Sequence, residues 1–345
     1  MMGTEFLFFS RSTMNPQLTI CMPVYNASRY LRESIGSILG QDFENFILLC
    51  YDDGSTDDSV EVLKSFGDGR IRIIEGGENR GGIHARAQLI NAVETKYCMW
   101  LDDDARYCRG DAVSEAMYTI KSNDFDMVNF VRVDEVDSNG NHVITKPMLY
   151  GDFEYCGDRL FEKFYPTDNH FIFNSKIFKA ELLKKSIPED GILSRRFCTD
   201  DMFFAAMWFF HARRYCHKAT CEPILEYKKD IGIWGGALLD RSAKRIGDLC
   251  ILQYYVLLSL YNRMIGVRRL SNAELNNLVA GTNFPMVARM IAGARRAYGD
   301  SYADSLMKIW HSAFGADGVH LLNNVDAIVA PDYIKSLEDM MKNPK

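Results

Sequence analysis

The sequence lacks any apolar run approaching the roughly 18 residues that a membrane-spanning helix needs, so no transmembrane helix is expected. It lacks a basic balance as well: 40 Lys and Arg stand against 46 Asp and Glu, for a net charge of −6. Bulk electrostatics therefore give the whole chain no attraction for nucleic acid. A disulfide framework is also missing. The nine cysteines are odd in number and scattered, and several sit in apolar runs that read as buried strands. This is how free thiols are used in a reducing compartment. The N-terminal MMGTEFLFFSRSTMNPQ has a short apolar patch with no basic segment ahead of it. Residues 1–16 thus read as a flexible lead-in, not a signal peptide. Together these absences point to the cytoplasm.

Two further constellations fall short of a motif. Gly76–Gly82 follows a strand-like run and opens a helix, but it lacks the G-x-G-x-x-G spacing of a dinucleotide fingerprint. His211, Cys216, His217 and Cys221 lie close together but match no tetrahedral zinc spacing. Ordinary core cysteines and surface histidines explain them better.

What is present is an ordinary globular composition, 47% hydrophobic and 25% charged over 345 residues. That is ample for a sizeable core and allows one large domain or two. The first half alternates strand-like and helix-like segments. Leu18–Met22, Phe46–Tyr51, Ile71–Ile74 and Tyr97–Leu101 are apolar runs of strand length. Between them lie helix-length segments, the first with Tyr30, Leu31, Ile35, Ile38 and Leu39 at helical spacing and Asn26 as its candidate cap. A helix near Asp111–Lys121 and a strand near Met127–Val131 continue the pattern. Such alternation predicts an α/β fold with a mostly parallel, Rossmann-like sheet covered by helices on both faces. Asn139-Gly140 predicts a hairpin turn, Asp200–His211 a largely buried helix, and Ile224–Tyr227 a closing strand.

From about Leu238 the pattern turns helical, and Trp234-Gly235-Gly236 is the candidate hinge. The expected organisation is a catalytic domain over 17–234 and a helical region over 235–345. Within the first, residues to about 105 would bind nucleotide and residues 106–234 the acceptor. The segment from Arg241 to Lys308 holds ten Lys and Arg against four Asp and Glu. Two readings stay open: a face resting on anionic lipid at the inner membrane surface, or a face packed on the catalytic domain or a second subunit.

In parallel sheets ligands bind at the carboxyl ends of the strands. Both acidic clusters stand there: Asp52-Asp53-Gly54-Ser55 after the second strand and Asp102-Asp103-Asp104 after the fourth. Hard cations such as Mg²⁺ or Mn²⁺ want a few carboxylate oxygens, with positions left for phosphate and water. In an extended segment Asp102 and Asp104 point to one side and Asp103 to the other. One carboxylate could hold a metal directly while a neighbour works through water or ribose. The competing reading is a solvated acidic turn. Asp53 could accept from a nucleobase N–H, or its cluster could cap a helix. Tyr25 could stack on a base or be an ordinary turn tyrosine. Arg86 could meet a phosphate or be an exposed helical arginine.

Taken in order, these motifs resemble the inverting glycosyltransferases of family two, which have the GT-A fold. The matching stretches are Ile20–Asn26, Asp52–Asp57, Asn79-Arg80-Gly81-Gly82 with Ala85-Arg86, and Trp100–Asp104, followed by Thr199-Asp200-Asp201. The resemblance implies a nucleotide diphosphate sugar as donor, UDP-linked by preference, and a divalent metal, Mn²⁺ or Mg²⁺. It implies a glycan or lipid-linked acceptor of lipopolysaccharide type. Pro23, Tyr25 and Asp53 would surround base and ribose, Arg86 the diphosphate, and Asp103 the ribose or donor sugar. Asp102 and Asp104 would be the outer carboxylates of the D-x-D motif, Asp104 the direct metal ligand. Asp201 would be the general base, with Asp200 beside it. The family pair is usually Glu-Asp, which leaves the base divided between Asp200 and Asp201. The Gln-x-x-Arg-Trp signature of processive polymerases is absent, which favours single additions. A sugar nucleotidyltransferase would need a Lys-containing glycine-rich loop after the first strand, where Pro23–Arg29 has none. A scaffold that binds sugar nucleotide without turnover is the alternative outside the enzymes.

Overall fold

The structure is a computed structural model and describes residues 15–130, 133–136, 142–145, 151–158, 160–161, 173–187, 200–219, 224–228, 299–301 and 304. The chain divides into two compact units; Met1–Phe161, Asn169–Arg196 and Asp200–Gly232 form the first. Nearly all described residues belong to it. The proposed hinge, the Asn139-Gly140 turn and the basic segment from Arg241 to Lys308, save Gly299, Asp300, Ser301 and Asp304, lie outside the described residues.

Four parallel strands open the fold: β1 (Leu18–Val24), β2 (Phe46–Asp52), β3 (Ile71–Glu75) and β4 (Tyr97–Trp100). β2 and β4 are buried at every position, as expected for strands covered on both faces. Helices α1 (Ser28–Leu39), α2 (Ser59–Ser65) and α3 (Gly82–Ala92) make the connections. α1 buries Leu31, Ile35 and Ile38, the stripe read from the sequence. α3 packs on β1 and β2 and is buried nearly all round, including Arg86.

Beyond β4 come β5 (Ala105–Tyr107), α4 (Ala112–Ser122), β6 (Met127–Phe130), β7 (Val133–Val136), β8 (His142–Thr145), β9 (Phe153–Cys156) and β10 (Lys176–Lys179). They are followed by α5 (Ala180–Lys184), α6 (Asp200–His211), β11 (Arg214–Lys218) and β12 (Leu225–Lys228). The main sheet runs β3-β2-β1-β4-β10-β6-β11-β9, with β10 antiparallel to both neighbours. A second sheet, β5-β12-β7-β8, begins directly after Asp104. Its register sets Tyr227 opposite Ala105, next to the acidic triplet.

The GT-A type α/β architecture is as expected, and α6 spans the expected residues. The short strands β5, β9, β10 and β11 were not foreseen. One local expectation is corrected. Asn26 does not cap α1: the N-cap is Ala27, without a side-chain cap bond. The Ser28 amide instead donates to the Asp57 carboxylate at 3.1 Å, and the Ala27 amide to the Ser59 hydroxyl at 2.9 Å. Asn26 sits at φ 51°, and its side chain accepts from the Thr56 amide at 2.8 Å.

Candidate active site

Parallel pairing brings the carboxyl ends of β1, β2 and β4 to one edge. Val24 is in register with Asp52, and the ladder extends as the Leu101 amide donates to the Cys21 carbonyl at 3.0 Å. The loops after β1 and β2 are tied together. Besides the Asn26–Thr56 bond, the Asn26 amide donates to the Ser55 hydroxyl at 2.9 Å. Asp52 is buried and accepts from the Ser55 amide, closing its own turn. Pro23 is half-buried, while Tyr25 presents its side chain at 45% exposure.

Asp53 is 4% exposed, and each carboxylate oxygen accepts a backbone bond, from Arg80 at 2.9 Å and Gly81 at 2.7 Å. Its first role is thus to fasten the glycine-rich loop to the end of β2. Gly54 permits this approach. It lies at φ +72°, and a Cβ there would fall 2.5 Å from the Glu78 carbonyl carbon. The Arg80 and Gly81 amides use one lone pair on each oxygen, so Asp53 retains accepting capacity.

The aspartate triplet divides its labour. Asp102 accepts from Arg86 Nη2 at 3.1 Å through one oxygen and from Asn174 Nδ2 at 2.7 Å through the other. Arg86 is 8% exposed, which excludes the reading of a solvated surface arginine. Its guanidinium lies 4.3 Å from the Phe173 ring centroid and 5.6 Å from that of Trp100. Asp103 accepts from the Tyr25 amide at 3.1 Å, and its carbonyl from the Ser34 hydroxyl at 2.8 Å. Burial, with the neighbouring Asp104 and Asp102 charges added, holds the Asp103 carboxyl well above the usual range. Asp104 lines a surface pocket with Glu33, Ser34, Ala105, Arg106 and Glu226.

Three carboxylates crowd a buried strand end, and their repulsion is visible in Asp103. An all-oxygen donor set that is crowded and lacks soft ligands fits a hard divalent cation. Among the described residues no group of three or more His, Cys, Asp or Glu closes a metal shell by itself. His217 is not a surface histidine as expected: it is buried and stacks on Phe153 with ring centroids 4.7 Å apart, while Cys221 lies outside the described residues.

Asp201 is half-buried on the first turn of α6. The Asp200 side chain lies outside the described residues. Around Asp201 the structure adds groups that sequence reasoning missed. Tyr227 is reached by Asn174 Nδ2, and the Asp102, Asp104 and Asp201 carboxylates all act on its phenol. Burial above all, reinforced by those charges, pushes the phenol well up. Lys176 is 0% exposed; burial pulls its ammonium down to about 7, against the Asp201 carboxylate. One signal existed for Lys176, a lysine at the head of an apolar strand. Nothing local pointed to Asn174 or Tyr227.

Aspartates thus gather at the carboxyl edge of the sheet with a buried arginine among them, the arrangement that the resemblance to the GT-A enzymes implied. Residues 19–186 match the family described as glycosyl transferase family 2, and this domain belongs to that family. The chain is 27% identical over 262 residues to the glycosyltransferase GlyG of Streptococcus pneumoniae, covering 69% of this chain and 82% of that protein. It is 27% identical over 295 residues to GlyA of the same organism, covering 77% of this chain and 39% of that protein. Among solved structures, S. aureus TarS residues 1–349 in complex with UDP-GlcNAc superposes with a TM-score of 0.67 at 15% identity, over 94% of this chain and 91% of that one. The described residues thus carry a glycosyltransferase domain of GT-A fold. No helix among the described residues is long and apolar enough to cross a membrane.

Proposed function

We propose that the enzyme transfers a sugar from a nucleotide diphosphate sugar, most simply a UDP-sugar, to a hydroxyl of a glycan or lipid-linked acceptor, with inversion at the anomeric carbon. The observation that carries this reading is the convergence of Tyr25, Asp53 and Asp102–Asp104 on one sheet edge, with Arg86 drawn in by Asp102. TarS, solved in complex with UDP-GlcNAc, lends support to the UDP class.

In this reading Pro23, Tyr25 and Asp53 surround the base and ribose, and Asp103 stands nearer the ribose or donor sugar. Arg86, set by Asp102 and the Phe173 ring, faces the diphosphate. Asp104, with Asp102 behind it, would hold Mn²⁺ or Mg²⁺. When bound, the cation supplies charge neutralisation on the leaving diphosphate. Asp201, early on a helix whose dipole favours its negative charge, takes the proton of the acceptor hydroxyl as that oxygen attacks. Asp200 stands beside it. Attack from the face opposite the nucleotide inverts the configuration.

The test is UDP release from a panel of UDP-sugars with and without Mn²⁺. Asp201→Asn is expected to bind UDP–Mn²⁺ as wild type does while losing about 10²–10⁴ in turnover. Asp104→Ala is expected to lose the metal dependence of UDP binding. Unchanged turnover in the first, or unchanged metal dependence in the second, removes that residue from its role.

A further inference from the structure

The segment 173–176 joins the two halves of the candidate site. Phe173 supports Arg86, and Asn174 holds both Asp102 and Tyr227. On the far side Phe173 meets α6, with ring centroids 5.3 Å from Phe204 and 4.4 Å from Trp208, while Phe178 lies 4.6 Å from Trp208. Residues 201, 204 and 208 share one helical face. The face that seats Phe204 and Trp208 on this segment therefore carries Asp201 over the start of β10. Lys176 is there, fully buried, and the Asp201 carboxylate acts on its ammonium.

A lysine rarely occupies a fully buried position, because desolvating its charge is costly. Its Nζ donates to the Ser175 hydroxyl at 3.5 Å, while its strand neighbours Ile177 and Phe178 are equally buried and apolar. For stability alone, methionine would fill the same space. We propose that Lys176 is a positioning residue for Asp201, a buried ammonium that keeps this carboxylate ionised and in one orientation. The inference rests on Asp201 as the general base in the function proposed above.

The groups facing the pair are few among the described residues. Asp201 from α6 and His217 from β11 face Lys176; Lys176 and Tyr227 from β12 face Asp201. Burial, aided by Lys176, pushes His217 down to about 4, so it is neutral near pH 7 and adds no charge. Tyr227 stays protonated because its phenol is pushed up. Lys176 is thus the cation available to Asp201 among them.

The experiment uses the full chain and four proteins: wild type, Lys176→Met, Asp201→Asn and the double variant. Thermal unfolding at pH 6, below the value of about 7 to which burial pulls the Lys176 ammonium, forms a double-mutant cycle that needs no donor. The expected result is non-additivity, with Asp201→Asn costing more stability when Lys176 is present than when methionine replaces it. Lys176→Met alone should melt no lower than wild type and bind UDP–Mn²⁺ with unchanged affinity. With the UDP-sugar that most stabilises the wild type, its turnover should fall about 10-fold or more. The acid limb of its turnover profile should move to higher pH, since Asp201 loses the charge that favours its ionised form. Additive melting shifts, or an unmoved pH profile, overturn the proposal. So does a loss of UDP–Mn²⁺ binding in parallel with activity, which would make Lys176 merely structural. Full turnover in Asp201→Asn would instead sink the base assignment itself.

Discussion

Asp102 has both carboxylate oxygens committed to protein donors, Arg86 on α3 and Asn174 ahead of β10. Its orientation is therefore set before any ligand arrives. Removing Asn174 would leave that carboxylate held from one side. Asn174→Leu is expected to weaken UDP–Mn²⁺ binding by about 10–100-fold, the usual effect of losing a residue that orients a metal-binding group. Titration calorimetry checks it. Asp103 carries the opposite lesson. Its carboxyl is pushed up by burial and by Asp104 and Asp102, so the folded state resists its ionisation. For an acid with a raised folded value, the unfolded chain binds fewer protons above the ordinary range, and stability falls as pH rises through that window. Asp103→Asn is expected to raise the melting temperature at pH 7 in EDTA. The gain should shrink as pH falls below the folded value toward 4. A gain that persists at low pH would deny the electrostatic cause.

At the scale of elements, one buried carboxylate fastens the far end of the glycine-rich loop, whose first residue Gly76 donates its amide to the Asp52 carbonyl at 2.8 Å. Asp53 joins the end of β2 to the Arg80 and Gly81 amides at the head of α3. Bonds to a charged acceptor are worth about 1.5–3 kcal/mol each. Asp53→Ala is expected to release the loop, read as faster amide exchange at Arg80 and Gly81 with the β1 and β4 amides still protected. Gly54→Ala should act on the same joint. The left-handed backbone alone costs about 1–2 kcal/mol, and the new Cβ would collide with Glu78. A melting temperature equal to wild type would contradict the geometry. These joints explain what was legible locally. The apolar runs of β1, β2 and β4 and the stripe of α1 are strong periodic signals. The four residues of β10 or β9 are too short to show a period, and β10 has a lysine at each end. The Asn26 cap failed because Asp57, near in space and distant along the chain, supplies the acceptor instead.

For the whole molecule, a donor that binds the folded state raises its stability by mass action, by about 2.7 kcal/mol at 100 times its dissociation constant. A thermal-shift screen of nucleotide sugars with Mn²⁺ is expected to single out UDP-sugars over GDP-sugars. An equal response to both would remove the UDP preference from the proposed function.

The amino-acid order alone determined the four parallel strands, the edge where their carboxyl ends meet, and the carboxylates gathered there. Those features follow from local periodicity and from strand ends, which a sequence displays directly. Only the tertiary structure decided which carboxylates are already engaged. Asn174 reaches Asp102 across 72 positions, and the register of β12 against β5 sets Tyr227 beside the triplet. Lys176 feels the Asp201 carboxylate because Phe178 of β10 packs on Trp208 of α6. Pairings of this kind depend on how elements pack in space, and no local pattern in the chain records that packing.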